Sequence, residues 1–321
     1  MDFDLRDIEM ADIERCVSHL ASPFLCAPES HGALASMWSE IVTEGSGIAA
    51  IAFDRAGKTI IHFGVSVFVS DERADAYHRC AQPKIAQQML SDWERGERPF
   101  LAADEIARAN AGSGLNLVVA YYGGILSGGL PDERVYAADY ESSRRVFRGW
   151  NLRSYTAEIF PHNEQRDGEK WGETLNFRVG TYSNDQLKEA RIPFDRAPCV
   201  WMARREDAIS SPSYALTLIF SLYAPPVFGF RRHEQRLLVL ALDGRTDETI
   251  ASITHISVPT VKKRWREIYG KVAGIAPSIP VLCGPLADGV RGVEARRHLL
   301  NYLRDHPEEL RPYDATGAQR A

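Results

Sequence analysis

An α/β (or α+β) N-terminal domain followed by a small all-α domain is the architecture this sequence predicts, on three observations. Apolar strand-like runs alternate with helical stretches through roughly the first two hundred residues. Residues 213–223 are then apolar almost all round and stop at Pro225-Pro226, where the helix must end. Beyond them, short amphipathic stretches punctuated by glycine and serine finish in a densely basic helix. At 321 residues the chain is long for one average domain, and two are the natural expectation. The expected division is an α/β sensor or ligand-binding domain over 1–205, a connecting apolar helix over 206–227, a helical domain over 228–275, and a C-terminal loop and helix over 276–321.

Each element follows from its local pattern. Met10, Ile13, Val17 and Leu20 recur at three- and four-residue spacing and predict a helix within 5–25. Residues 45–53 and 59–69 read as two strands joined by a turn over 54–58. Residues 75–111, rich in Ala, Gln, Arg and Glu, predict helix. Leu115 to Tyr122 reads as a buried strand ended by Gly123-Gly124, Tyr136 to Arg148 as a helix stopped by Gly149, and Tyr155 to Phe160 as a further strand. A weaker strand signal covers Leu175 to Val179. The 213–223 helix has no polar face, so it either connects domains or lies in a subunit interface. Pro277 to Gly292 reads as loop. A last helix over Val293 to Asp305 aligns Ala295, Leu299, Tyr302 and Leu303 before His306-Pro307 stops it.

The composition is globular, with 45% hydrophobic and 25% charged residues. No apolar run is long enough to span a bilayer, the acidic start Met1-Asp2-Phe3-Asp4 does not read as a signal peptide, and a cytoplasmic location is expected. The five cysteines (Cys16, Cys26, Cys80, Cys199, Cys283) lack CxxC spacing, which argues against a disulfide framework and a zinc finger. Net charge is −5, yet residues 228–275 carry nine Lys/Arg against five acids, a local +4 that leaves −9 on the remainder. Such asymmetry points to a local nucleic-acid footprint.

Within that segment Arg231 to Leu242 predicts a helix with Leu237, Leu238 and Ala241 inward, and Asp243-Gly244 stops it. Thr246 can cap a second helix that carries Asp247 and Glu248 in its first turn and turns Ile250, Ala251 and Ile253 inward. Ile256 bridges a short turn, and Ser257 can cap the basic helix, with Pro259 tolerated in its first turn. On that helix Val261, Trp265, Ile268 and Val272 share one face while Lys262, Lys263 and Arg266 project from the other. Two short helices, a tight turn and a capped basic helix make a helix-turn-helix.

These residues resemble the LuxR-type helix-turn-helix of bacterial transcriptional regulators, over about 45 of 321 positions. The matching positions are Phe230, Glu234, Leu237, Leu238, Gly244, Ile250, Ala251, Ile256-Ser257, Thr260-Val261-Lys262, Ile268 and Lys271-Val272. The resemblance implies that Thr260-Val261-Lys262 opens the recognition helix and that Lys262, Lys263 and Arg266 face the major groove of double-stranded DNA. Ser257, Thr260, Arg264 and Lys271 complete the implied DNA-binding set, over a core of Leu238, Ile250, Ala251, Val261, Trp265 and Ile268. Thr249 replaces the family's usual Glu, Thr254 its usual Leu, so that Ile253 is needed to fill the core, and Arg264-Trp265 its usual His and aliphatic pair. Such regulators act as dimers on two-fold sites, with the 213–223 and 293–305 helices as the expected dimer contacts.

In the N-terminal half, the acid-rich opening 5–14, the paired strands and the run Phe147 to Arg153 faintly resemble the GNAT acetyltransferases. That resemblance implies a glycine-rich loop holding the pyrophosphate of acetyl-CoA at a helix N-terminus. The candidates, Ala111-Gly-Ser-Gly114 and Gly123-Gly124 through Gly128-Gly129, lack the Arg/Gln-x-x-Gly-x-Gly/Ala spacing. His62 lies in an apolar strand and reads as a core histidine, and His19, His31 and His78 lack metal-ligand spacing. No GxSxG elbow or acidic Mg²⁺ cluster is evident. Tyr121, Tyr122, Trp150 and Trp171 could line a ligand pocket but fit a core better.

The sequence therefore predicts a DNA-binding transcriptional regulator, dimeric and cytoplasmic, whose N-terminal domain senses an unknown signal or small-molecule ligand. It is expected to be no enzyme and to hold no cofactor, metal or membrane. The alternative is an acetyltransferase-like enzyme with an appended DNA-targeting domain.

Overall fold

The computed structural model describes residues 3–20, 27–54, 59–124, 133–161, 168–220, 223–275, 291–314 and 316. In chain order the strands and α-helices are β1 (Phe3–Asp7), α1 (Ile13–Ser18), α2 (His31–Glu44), β2 (Gly47–Asp54), β3 (Ile60–Val69), α3 (Asp71–Cys80), α4 (Ile85–Glu94), α5 (Ala103–Ala111) and β4 (Leu115–Gly124). Then come α6 (Glu133–Phe147), β5 (Leu152–Ile159), α7 (Gly168–Thr174), β6 (Arg178–Thr181), α8 (Asn184–Glu189), β7 (Cys199–Arg204), α9 (Arg205–Ser210) and α10 (Tyr214–Phe220). The last are α11 (Arg232–Leu242), α12 (Asp247–Ile253), α13 (Val258–Ile275) and α14 (Arg291–Asp305).

The seven strands form one mixed sheet in the order β1-β2-β3-β4-β5-β7-β6. All neighbours are antiparallel except β4 and β5, which run parallel. Because side chains alternate across a strand, β2 sends Ile51 and Phe53 to one face and Ile48 and Ala50 to the other. The first face is covered by Ile13 of α1, Trp38 of α2, Tyr77 of α3 and Met89 of α4. The second is covered by Ile106 of α5, Val146 of α6 and Leu216 of α10. The sheet thus has helices on both faces, as the near-continuous apolar runs of β3 and β4 require.

The helix expected within 5–25 forms as α1, and a strand that the sequence pattern did not announce precedes it: Phe3 to Asp7 extends the sheet along β2. Phe3 and Leu5 alternate onto the α6 side, a period of two that gives way to the helical spacing further on. The strand expected over Leu175 to Val179 starts at Arg178, and Phe177 plugs the core between Tyr155 and Trp201, with ring centroids 5.5 and 5.1 Å away. The α10 helix is not buried all round: Leu216 and Ile219 pack under it, whereas Tyr214 is exposed and stacks on Tyr140 of α6.

A separate core forms around α11, α12, α13 and α14, from Phe228 and Phe230 through Leu237, Leu238, Ile250, Val261, Trp265, Ile268 and Val272 to Leu299 and Leu303. Leu299 and Leu303 of α14, one of the helices expected as a dimer contact, pack within the chain's own core. The loop expected over Pro277 to Gly292 lies almost wholly outside the described residues.

Candidate functional site

The turns that orient α11 to α13 follow from the sequence. Glu234 accepts the Arg231 N–H at 2.6 Å and closes the start of α11. Gly244 adopts φ +76°, a left-handed conformation that glycine enters without a Cβ clash, and ends that helix. The Thr246 hydroxyl accepts the Thr249 N–H at 3.3 Å and caps α12. Thr254 and His255 lead out of it, His255 at φ +52°, and the Ser257 hydroxyl accepts the Thr260 N–H at 3.3 Å at the start of α13.

From this frame α13 buries Val261, Trp265, Ile268 and Val272 and exposes Lys262, Lys263 and Arg266 on the opposite side. Leu238, Ile250 and Ala251, also expected in the core, are buried beneath them. Ser257 is exposed, and Thr260 and Arg264 are half-buried. Lys263 lies 3.8 Å from Glu267 one turn on, an exposed pair that leaves the cation accessible.

Lys271 differs from the rest of the expected DNA-binding set. Its ammonium sits 2.7 Å from the buried carboxylate of Glu234 and over the ring of Phe230, 5.5 Å from the centroid. Burial opposes the Glu234 charge, but Lys271 and the Arg231 N–H outweigh it and hold the carboxyl below its usual range. The three departures from the resemblance also find partners. Thr249 receives the cap of Thr246, Thr254 donates to the Ile250 carbonyl at 2.6 Å, and Ile253 is half-buried against the core. Trp265 donates its indole N–H to Asp247 at 3.3 Å, and Arg296 bonds Asp247 at 2.8 Å while stacking over the indole at 4.5 Å.

A second candidate site lies where the sheet opens. Against β3, Val65 faces Tyr121 and Ser66 faces Val119, so β4 carries one extra residue, Ala120. Such a bulge bends a strand locally, and the pairing of β4 with β5 stops at the same level, with Val119 against Ala157. A crevice outside the carboxyl ends of parallel strands is where open α/β sheets hold ligands. Glu158 stands at this parting, its carboxylate accepting the Lys84 and Ile85 N–H groups at 2.8 and 2.9 Å and the Tyr182 hydroxyl at 2.7 Å. Burial raises its carboxyl to about 7, and these donors pull in the opposite direction. Nothing flagged Glu158 in the sequence reading, although an acid inside an apolar strand was the available signal.

The aromatic candidates divide. Tyr121 and Trp150 are core residues, Tyr121 donating to the Ala86 carbonyl at 3.0 Å, whereas Trp171 is 53% exposed. His62 is buried 3.6 Å from Asp139 of α6, and burial lowers its pKa, which keeps it neutral as a core histidine would be. Gly128-Gly129 lies outside the described residues, and Gly112 and Gly114 join α5 to β4 at the opposite end of β4 from the parting. Among the described residues no group of three or more His, Cys, Asp or Glu is arranged to hold a metal ion, and no helix is long and apolar enough to cross a membrane.

No protein-family model and no curated relative matches the sequence. Among solved structures, the chain is similar to an uncharacterized protein from Bacillus halodurans (8% identity, 67% of this chain and 90% of that one, TM-score 0.37). It is also similar to Arabidopsis thaliana NAA60 in complex with a bisubstrate analogue (13%, 62% and 95%, TM-score 0.36). A third is the aminoglycoside acetyltransferase AAC(6')-Ib in complex with coenzyme A and kanamycin (12%, 66% and 99%, TM-score 0.34). With acetyltransferases among these neighbours, the expectation that the chain is not an enzyme does not stand. The chain's own architecture is mixed α/β, built around a seven-stranded sheet.

Proposed function

We propose that this chain joins an acetyltransferase-like α/β domain to a LuxR-type helix-turn-helix that binds double-stranded DNA, and that it acts as a transcriptional regulator or as an acyltransferase directed to DNA. The observation that carries the DNA-binding half is the cationic face of α13, with Lys262, Lys263 and Arg266 exposed opposite a closed apolar stripe. A helix anchored on one side and cationic on the other can enter the major groove, where an Arg reaching guanine contributes ~1–3 kcal/mol of base discrimination. The test is fluorescence anisotropy with a labelled mixed-sequence duplex at low salt. The Lys262→Ala, Arg266→Ala double variant is expected to lose at least tenfold in affinity (about 1.4 kcal/mol) with its melting curve unchanged. Unaltered affinity would refute the assignment.

The acetyltransferase-like half rests on a different observation, the parting of β4 from β5 at the Ala120 bulge beside Glu158. On this reading acetyl-CoA would bind at that parting. A carboxyl near 7 lies in the range useful for proton transfer at neutral pH. Acetyl-CoA at millimolar concentration is expected to raise the melting temperature, since a ligand that binds only the folded state stabilises it by mass action. No shift would remove this half of the proposal and leave the DNA-binding half standing.

A further inference from the structure

The segment that follows α14 turns back across the molecule, burying one charged side chain and half-burying another. Pro307 to Leu310 forms a short 3₁₀ turn, and Glu309 within it is wholly buried. Its two carboxylate oxygens accept the Val227 and Phe228 N–H groups, at 2.8 and 3.0 Å, on the stretch entering the helical core. Gln235 of α11 donates to the Glu309 and Arg311 carbonyls at 3.3 and 2.8 Å. Those bonds hold the segment to the helical core.

The same segment is held from the sheet side. The Arg311 guanidinium donates to the carbonyls of Arg145 and Arg148 at the C-terminal end of α6, at 2.8 and 2.9 Å, and lies over the Trp150 ring at 4.9 Å. A cation on the last carbonyls of a helix satisfies acceptors the helix leaves open and matches its dipole. Asn110 donates to the Pro312 carbonyl at 2.8 Å, and the Asp314 N–H donates to the Ala107 carbonyl of α5 at 3.1 Å. Gly149, at φ +81°, lets this segment close on the end of α6: a Cβ there would stand 2.5 Å from the Glu308 nitrogen. Across the interface, Arg145 bridges Asp7 at 3.1 Å to Asp243 at 2.9 Å, and Arg245 meets Glu9 at 3.0 Å.

We propose that residues 307–314 are a strap that fixes the helix-turn-helix core to the C-terminal end of α6, so that the two cores behave as one body and α6 sets the direction in which the exposed cations of α13 point. The α6 helix comes after β4 in the chain, lies against β3 with Asp139 3.6 Å from His62, and ends under the strap. A displacement of α6 at its first turn would therefore be carried to the helix-turn-helix by a rigid helix. The strap itself is independent of whether either core binds the ligand assigned above.

Hydrogen exchange followed by mass spectrometry on the full chain tests it without DNA or coenzyme. In the Arg311→Ala chain, peptides covering 227–242 and the last turn of α6 are expected to exchange at least tenfold faster, while those covering β2 and β3 keep their protection. Protection unchanged at 227–242 would overturn the strap, and so would equal acceleration throughout the sheet. If that chain fails to fold, Gln235→Met removes both bonds from α11 to the strap with little change of volume. Faster exchange at the Val227 and Phe228 amides is then expected without loss of protection in the sheet, and unchanged exchange there overturns the proposal.

Discussion

Glu158 and Glu309 are both acids that the fold buries and bonds through pairs of backbone N–H groups, and burial raises both above the ordinary carboxylate range. For Glu158 the folded value is about 7, against 4.5 for the free side chain. A raised acid keeps its proton in the folded state where the unfolded chain has lost it, so stability is greatest at low pH and falls as pH rises through that interval. Glu309 acts in the same direction. Glu234, held low, acts in the opposite sense and only as pH falls below the usual carboxylate range. Burial lowers His62 and His78, which act in the opposite direction over the same interval, so the test is the difference between chains: from pH 5 to pH 7.5 the urea midpoint of the Glu158→Gln chain should rise relative to that of the wild type. An identical pH dependence in the two chains would show that Glu158 is not the group responsible.

At the scale of elements, the pair Lys271–Glu234 ties α13 to α11 and gives two lysines on one helix different work. Lys262 is exposed, whereas Lys271 neutralises a buried acid. Lys271→Met should lower stability by ~1–3 kcal/mol by leaving Glu234 without its cation, with DNA affinity little changed, whereas Lys262→Met should keep stability within ~0.5 kcal/mol and weaken DNA binding. Denaturation and anisotropy on the two variants decide it, and the reverse pattern would reassign Lys271 to the DNA-facing set. This part of the molecule was legible because its signals are local. Gly244, Thr246 and Ser257 act within a few residues of themselves, and the stripe of Val261, Trp265, Ile268 and Val272 has one period throughout. The β2–β3 hairpin and β4 were legible for the same reason. By contrast, β1 is short and half acidic, and its strand character depends on pairing with Asp54 to Ala50, some fifty residues away. The bulge at Ala120 has no residue signature either, since it is a mismatch of register between two strands. The partners of Glu309 and Arg311 are backbone groups 81 to 166 positions distant, which no local pattern encodes.

For the molecule as a whole, charge distribution sets how the proposed DNA contact should behave. Residues 228–275 carry a net +4 and the remainder −9, so the long-range field favours a polyanion at the segment bearing Lys262, Lys263 and Arg266 over the rest of the chain taken together. Orientation on DNA is then imposed by repulsion as well as attraction, and the ties of Arg145 and Arg245 to Asp243 and Glu9 keep the acidic edge of β1 against α11 rather than toward the duplex. Each Lys or Arg that neutralises a phosphate releases counterions, so log K should fall with log salt by about 0.9 per contact. Lys262→Ala is expected to reduce the magnitude of that slope by about one contact if the ammonium meets a phosphate. If it meets a base edge instead, affinity should fall selectively for some sequences with a smaller change in slope. Anisotropy titrations at four salt concentrations on the wild-type and Lys262→Ala chains separate the two cases. A wild-type affinity that does not change with salt would exclude the cationic face of α13 as the DNA contact.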